Sequence, residues 1–244
     1  MVVPFDLKAR QVTGRPVAVL DGLLMGSAIA PFLAHFAVSD TGTLLYVSGP
    51  FVAAAARLVG VDRSGAISPI GDREEVLAGP RISPDGRRLT VRAAVGADSM
   101  QVWVRDLDRG TFSRLTHEGE NWWPVWSPDG RRVVFPTRVD PTAPVNLAWI
   151  AADGSAPAER LTESDLSEQP TTWTPDGKTL IFQRSNHPET KWDVMALDIG
   201  TEESPRVLLG SRFNEFLADL SPDGRWLAYV SDESGLEEIY VRSY

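Results

Sequence analysis

Cysteine is absent from the sequence, so neither a disulfide framework nor a thiolate metal site can be built. Histidine is scarce: only His35, His117 and His187 occur, and the zinc signature His-Glu-x-x-His is missing. Also missing are the Gly-x-Ser-x-Gly nucleophile elbow, the dinucleotide fingerprint Gly-x-Gly-x-x-Gly and the phosphate loop Gly-x-x-x-x-Gly-Lys. No apolar run approaches the roughly 20 residues of a membrane-spanning helix. The start, Met1-Val2-Val3-Pro4-Phe5-Asp6, lacks the basic opening and long apolar centre of a secretion signal. Membrane insertion is therefore not expected. Positive charge is in deficit, 24 Lys and Arg against 33 Asp and Glu for a net charge of −9, which argues against nucleic acid or an anionic bilayer as a partner. Amphipathic helical periodicity is also lacking.

What the chain does have is a repeat. Ser127-Pro128-Asp129-Gly130 recurs as Ser83-Pro84-Asp85-Gly86, Thr174-Pro175-Asp176-Gly177 and Ser221-Pro222-Asp223-Gly224, with a degenerate copy at Ser39-Asp40-Thr41-Gly42. Each is a tight reversal: Pro fixes φ at the first turn position, Asp tolerates the second, and Gly supplies the positive φ that closes the hairpin. The five glycines lie 44, 44, 47 and 47 residues apart, and a fixed period of that length marks an array of supersecondary units.

Each unit reads alike. An inner strand enters the turn, and a β-branched, aromatic second strand leaves it, as at Val133-Val134-Phe135 and Leu180-Ile181-Phe182. An alternating third strand follows, such as Gln101-Val102-Trp103-Val104 or Glu238-Ile239-Tyr240-Val241, then a polar turn and a fourth strand such as Phe112-Ser113-Arg114-Leu115. Four strands per unit without helices predict an all-β fold, a β-propeller of five four-stranded blades starting near residues 36, 80, 124, 171 and 216. Trp126 and Trp173, one residue before their turns, are expected to pack between blades. The whole chain, 1–244, is read as one domain. Residues 1–35 supply two outer strands and an apolar connector from Asp21 to His35. The last unit stops at its third strand, so the ring is expected either to be closed by the N-terminal strands, with one to spare, or to be part of a six-bladed ring completed by another copy through strand exchange.

At these turns the sequence resembles the WD40-like (PD40) repeats of TolB-type propellers, and is most similar to the propeller that follows the kinase domain in many bacterial serine/threonine kinases. Pro124-Val125-Trp126-Ser127-Pro128-Asp129-Gly130-Arg131-Arg132 and the stretch from Ser221 to Ser231 carry the likeness. The resemblance implies a bacterial periplasmic or extracytoplasmic module. It implies no activity, because neither a kinase nor a hydrolase domain is present and such propellers serve many functions.

Candidate site residues come from aligning the repeats on the turn Ser or Thr. Six places upstream stand Leu33, Leu77, Asn121, Glu168 and Glu215, where the inner strand is expected to enter the central channel. Asn121, Glu168 and Glu215 would bring oxygen ligands from three consecutive blades, the donor type a hard cation such as Ca²⁺ or Mg²⁺ requires. Glu120 and His117 lie beside them, placed for proton transfer. The bland alternative is a wet, polar channel rim with Leu33 and Leu77 on an apolar side. The aromatic set Trp122, Trp123, Phe213 and Phe216 reads equally as a binding face or as rim packing. Two functions follow as expectations. The first is a non-catalytic interaction or ligand-sensing module, derived from a larger protein, that meets a protein partner or small molecule at the channel mouth. The alternative is a metal-dependent hydrolase of esters, lactones or phosphoesters.

Overall fold

The structure is a computed structural model and describes residues 4–6, 8–9, 11–17, 36–38, 44–48, 57–62, 64–71, 77–95, 99–187 and 191–244. The connector from Asp21 to His35, with Leu33, and the degenerate turn at 39–42 lie outside the described residues.

Every described strand ladder is antiparallel, and five sheets follow one another along the chain as the five blades of a propeller. The first comprises β3 (Phe36–Val38), β4 (Leu44–Ser48), β5 (Arg57–Val61) and β6 (Ile67–Pro69). They follow a short N-terminal hairpin of β1 (Phe5–Asp6) and β2 (Gln11–Val12). The second blade is β7 (Leu77–Ile82), β8 (Arg88–Val95), β9 (Ser99–Asp106) and β10 (Phe112–Arg114). In the third, the inner strand is split into β11 (Glu120–Asn121) and β12 (Val125–Trp126), both paired to β13 (Arg132–Arg138), with β14 (Asn146–Ala151) and β15 (Glu159–Arg160) outside. The fourth is β16 (Ser167–Trp173), β17 (Thr179–His187), β18 (Lys191–Asp198) and β19 (Arg206–Leu209). The fifth is β20 (Glu215–Leu220), β21 (Trp226–Ser231) and β22 (Glu238–Ser243).

The ring is not closed by the N-terminal strands among the described residues. The fifth sheet ends at β22, and β1 pairs only with β2. The hairpin is nonetheless built like the outer half of a blade. Asp6 accepts the N–H groups of Lys8 and Ala9 at 2.8 and 3.0 Å, as Asp106 accepts those of Asp108 and Arg109 at 3.0 and 2.8 Å between β9 and β10.

The repeated turn is a small hydrogen-bonded lock. In the third blade the Ser127 hydroxyl donates to Asp129 at 2.6 Å and accepts the Arg132 N–H at 3.0 Å. Asp129 also accepts the Arg131 N–H at 2.9 Å. The same bonds recur around Ser83 and Thr174, and in the last turn Ser221 donates to Asp223. The serine or threonine hydroxyl, followed by the backbone N–H, holds each turn carboxylate below the usual aspartate range. The turns also touch: the Arg88 guanidinium donates to the Gly130 carbonyl at 2.6 Å and lies 4.8 Å over the Trp126 ring.

Between the sheets lie four apolar clusters, each shared by two neighbouring blades. Leu45 and Leu58 meet Leu77, Leu89 and Val91; Val102 and Leu115 meet Trp126, Val133 and Phe135. Leu147 meets Trp173, Leu180 and Phe182; Val194 and Leu209 meet Ala218 and Leu227. The expected inter-blade role of Trp126 and Trp173 is therefore observed. At about 1.5–3 kcal/mol for each fully buried aliphatic side chain, these seams supply the main cohesion between blades.

Glycine is required at the turns by its positive φ, and at Gly224 by packing as well. A Cβ there would stand 3.0 Å from Pro175 at φ +67°, whereas one at Gly86 (φ +72°) would meet nothing. Gly86→Ala is expected to cost about 1 kcal/mol from the left-handed conformation alone. Gly224→Ala is expected to cost roughly 2 kcal/mol, because contact is added to that strain. Urea unfolding of the two variants measures the order.

Candidate functional site

The channel is lined two residues before each turn, not six. Each inner strand from the second blade onward is interrupted in the same place. The ladder slips between Ala78 and Arg81, between Pro170 and Thr172, and between Phe216 and Asp219, while in the third blade Trp122-Trp123-Pro124 divides β11 from β12. A bulge re-aims the residues that follow it. Gly79 and Leu217, at the same repeat position, both have positive φ, 59° and 53°. The preceding blade pins this kink: Gln183 accepts the Leu217 N–H at 2.8 Å, and the Arg92 guanidinium lies 5.3 Å from the Trp123 ring centre.

Beyond the bulge, Ala37, Arg81, Val125, Thr172 and Asp219, one from each blade, converge on a cavity of about 780 Å³ that opens among the turn prolines Pro84, Pro128, Pro175 and Pro222. Two of the five are charged, with opposite sign. Arg81 donates to the carbonyls of Pro80 and Phe36 at 3.1 and 3.4 Å. Burial pulls its pKa down, and the field of Asp219 opposes that pull. Asp219 reaches channel water yet is ringed by protein, and desolvation raises its carboxyl above the usual aspartate range against a hydrogen bond from Thr172 and the charge of Arg81. The wall thus offers a cation, an anion and a hydroxyl, with the short apolar side chains of Ala37 and Val125 completing it.

The residues six places upstream of the turns sit elsewhere, in the seams between blades. Asn121, Glu168 and Glu215 are 1%, 2% and 5% exposed, and each is engaged by the end of the preceding blade. The Leu147 N–H donates to the Thr162 hydroxyl at 2.9 Å, Thr162 donates to Glu168, and Arg184 closes on the other carboxylate oxygen at 2.7 and 3.1 Å. Glu215 accepts both the N–H and the hydroxyl of Ser211, at 3.1 and 2.5 Å. Asn121 donates to Gln101 at 2.8 Å, and Gln101 also accepts the Thr116 hydroxyl at 2.7 Å. Among the described residues no three His, Cys, Asp or Glu side chains gather as a metal site. Glu120 is tied to Arg138 at 2.5 Å. His117 is exposed, its carbonyl accepting from Arg114 at 3.0 Å. The half-buried rings of Trp122 and Trp123 carry Arg138 and Arg92 against them, each at 5.3 Å, and Arg212 lies over Phe213 at 4.8 Å.

Reading two places upstream would have found Arg81 and Asp219 as the charged members of an otherwise small or apolar set. The signal that a bulge intervenes is Gly79-Pro80, Pro124 and Pro170, residues that break a ladder just before the turn.

Because the charged form of Asp219 is disfavoured in the fold, Asp219→Asn is expected to melt above the parent protein at neutral pH. The sign follows from a folded pKa above the unfolded value near 3.8. The difference is fullest above the folded pKa, shrinks as pH falls through it, and is gone below the unfolded one. Calorimetric melting of both proteins from pH 7 to pH 3 checks this.

Comparison with known proteins agrees with the architecture. The TolB beta propeller domain (PD40) matches residues 36–244. An uncharacterized protein of Agrobacterium fabrum is 31% identical over 157 residues, covering 61% of this chain and 52% of that one. The crystal structure of TolB from Acinetobacter baumannii superposes with a TM-score of 0.68 at 21% identity, over 86% of this chain and 51% of that one. A putative TolB from Agrobacterium tumefaciens gives 0.63 at 22%, over 91% and 78%. The chain thus spans about half the length of the first of these relatives by sequence and by structure, and the structural likenesses are likenesses of fold. None of these relatives supports the link to kinases. With the family description covering the chain from its first full blade to its last residue, the protein belongs to the TolB beta propeller domain family.

Proposed function

We propose that this propeller is a non-catalytic binding module whose channel mouth receives a small ligand or peptide end carrying both charges. The observation that carries the reading is the presence of Arg81 and Asp219 on the wall of one cavity of about 780 Å³, where two fixed charges of opposite sign select a ligand with complementary groups. Arg81 would take a carboxylate, Asp219 an ammonium group, and Thr172 a further polar contact. The small walls at Ala37 and Val125 leave room for an apolar side chain between them. Strands hold all five positions, so the site needs little reorganisation to bind.

Hydrolysis is the weaker reading. Glu168 and Glu215, its proposed cation ligands, already accept hydrogen bonds within the framework, and a cation would have to displace Arg184 from Glu168. An extracytoplasmic location, as in TolB-like proteins, is part of the proposal.

Calorimetric titration with free dipeptides bearing an apolar side chain, and with their N-acetylated and C-amidated forms, tests the binding reading. Free dipeptides are expected to bind, with affinity falling about tenfold or more on Arg81→Ala or Asp219→Ala and on blocking either terminus. Equal affinity across the variants, or no binding by any of these peptides, would contradict it.

A further inference from the structure

Leu217 holds a backbone conformation that glycine adopts freely and leucine does not. Its φ is 53°, and the same repeat position in the second blade is Gly79, at 59°. Leu217 and Ala218 fall between the paired positions Phe216↔Val230 and Asp219↔Ala228, so both stand opposite Tyr229 alone. The Leu217 N–H leaves the ladder and donates at 2.8 Å to Gln183 of the preceding blade. Gln183 is 3% exposed, and its own amide is oriented by donating to the Gln169 side-chain oxygen at 3.0 Å. Strain of this kind persists where the surroundings over-determine it, and it collects at sites that use it.

What the kink serves lies two residues on. Side chains alternate along a strand, so one extra residue decides which of two neighbours faces the channel and which the seam. Here Ala218 is 2% exposed and packs with Val194 and Leu209 between the blades, while Asp219 lines the cavity. We infer that Gln183 is the positioning residue for Asp219: by fixing the kink at Leu217, the fourth blade aims the carboxylate of the fifth into the channel. Thr172, also of the fourth blade, donates a hydrogen bond to Asp219, so one blade holds both the carboxylate and the backbone that leads to it. The ammonium end of a ligand then depends on Gln183 without touching it. That dependence rests on the binding reading above, whereas the direction of Asp219 does not.

The second blade suggests the variant that separates positioning from packing. Gln183→Met keeps the side-chain length and removes both hydrogen bonds, and Leu217→Gly in the same chain removes the strain that the bond to Gln183 opposes. The readout is maleimide labelling of Asp219→Cys in the native protein. Gln183→Met is expected to slow it about tenfold, the equivalent of one lost hydrogen bond, and the added Leu217→Gly to restore most of the rate. Thr172→Cys, on the neighbouring wall, should label equally fast in all three backgrounds. If Gln183→Met does not fold, melting of the double variant decides: recovery of a cooperative transition supports the inference, and its absence overturns it. Labelling of Asp219→Cys indifferent to Gln183→Met, or a double variant no faster than the single one, overturns it as well. In titrations with free dipeptides, affinity is expected to fall and recover in parallel with labelling. Labelling that follows the expected pattern while no dipeptide binds would sink the ligand reading and leave the positioning role standing.

Discussion

A buried hydroxyl standing between two blades is the interaction on which the rest of the ring depends. Just beyond the fourth strand, the buried hydroxyls of Thr116 and Thr162 accept a third-strand N–H from Val102 and Leu147 at 2.9 Å, and the more exposed Ser211 stands in the corresponding place in the fourth blade. The opposite side of each hydroxyl donates, to Gln101, Glu168 or Glu215. A buried hydroxyl or carboxylate without a partner would cost more than the bond is worth, so these groups specify one way for successive sheets to meet. The apolar seams provide the cohesion, and the polar latches fix the geometry. From that geometry follows the placement of the bulge and hence of the channel wall.

Much of this was legible in the sequence. Turns such as Ser127-Pro128-Asp129-Gly130 carry their own mechanism, and their spacing is enough for an array of sheets. The tryptophans before two of them pack between blades as expected. The channel wall differs from the set six places upstream of the turn because that position lies before the kink in each inner strand. One kink per inner strand moves the wall from Asn121, Glu168 and Glu215 to Arg81, Thr172 and Asp219. A carboxylate at a repeat position reads equally as ligand and as latch. What distinguishes them here is partner spacing: Thr162 and Ser211 stand shortly upstream of Glu168 and Glu215, and Arg184 lies opposite Glu168 on the next strand. Such pairings exist only once the sheet register is known.

Among the described residues, the first and fifth sheets are less covered than the three between them. A blade buries its leading face on the blade before and its trailing face on the blade after. Val38, just before the first turn, is 59% exposed, while its counterparts Trp126 and Trp173 are 6% and 8% exposed. Ile239 on β22 is 77% exposed. The N-terminal hairpin, with its aspartate-capped turn, has the form of an outer half-blade and pairs with no other strand among the described residues.

The central claim is that the bulge and the polar latches decide which side chains face the channel. A chain without cysteine allows this to be read from labelling of single thiols by a small water-soluble maleimide in the native protein. Arg81→Cys, Thr172→Cys and Asp219→Cys should react quickly, whereas Asn121→Cys, Glu168→Cys and Glu215→Cys should stay protected until the protein is unfolded. Rapid native labelling at 121, 168 and 215, with protection at 81, 172 and 219, would contradict the account.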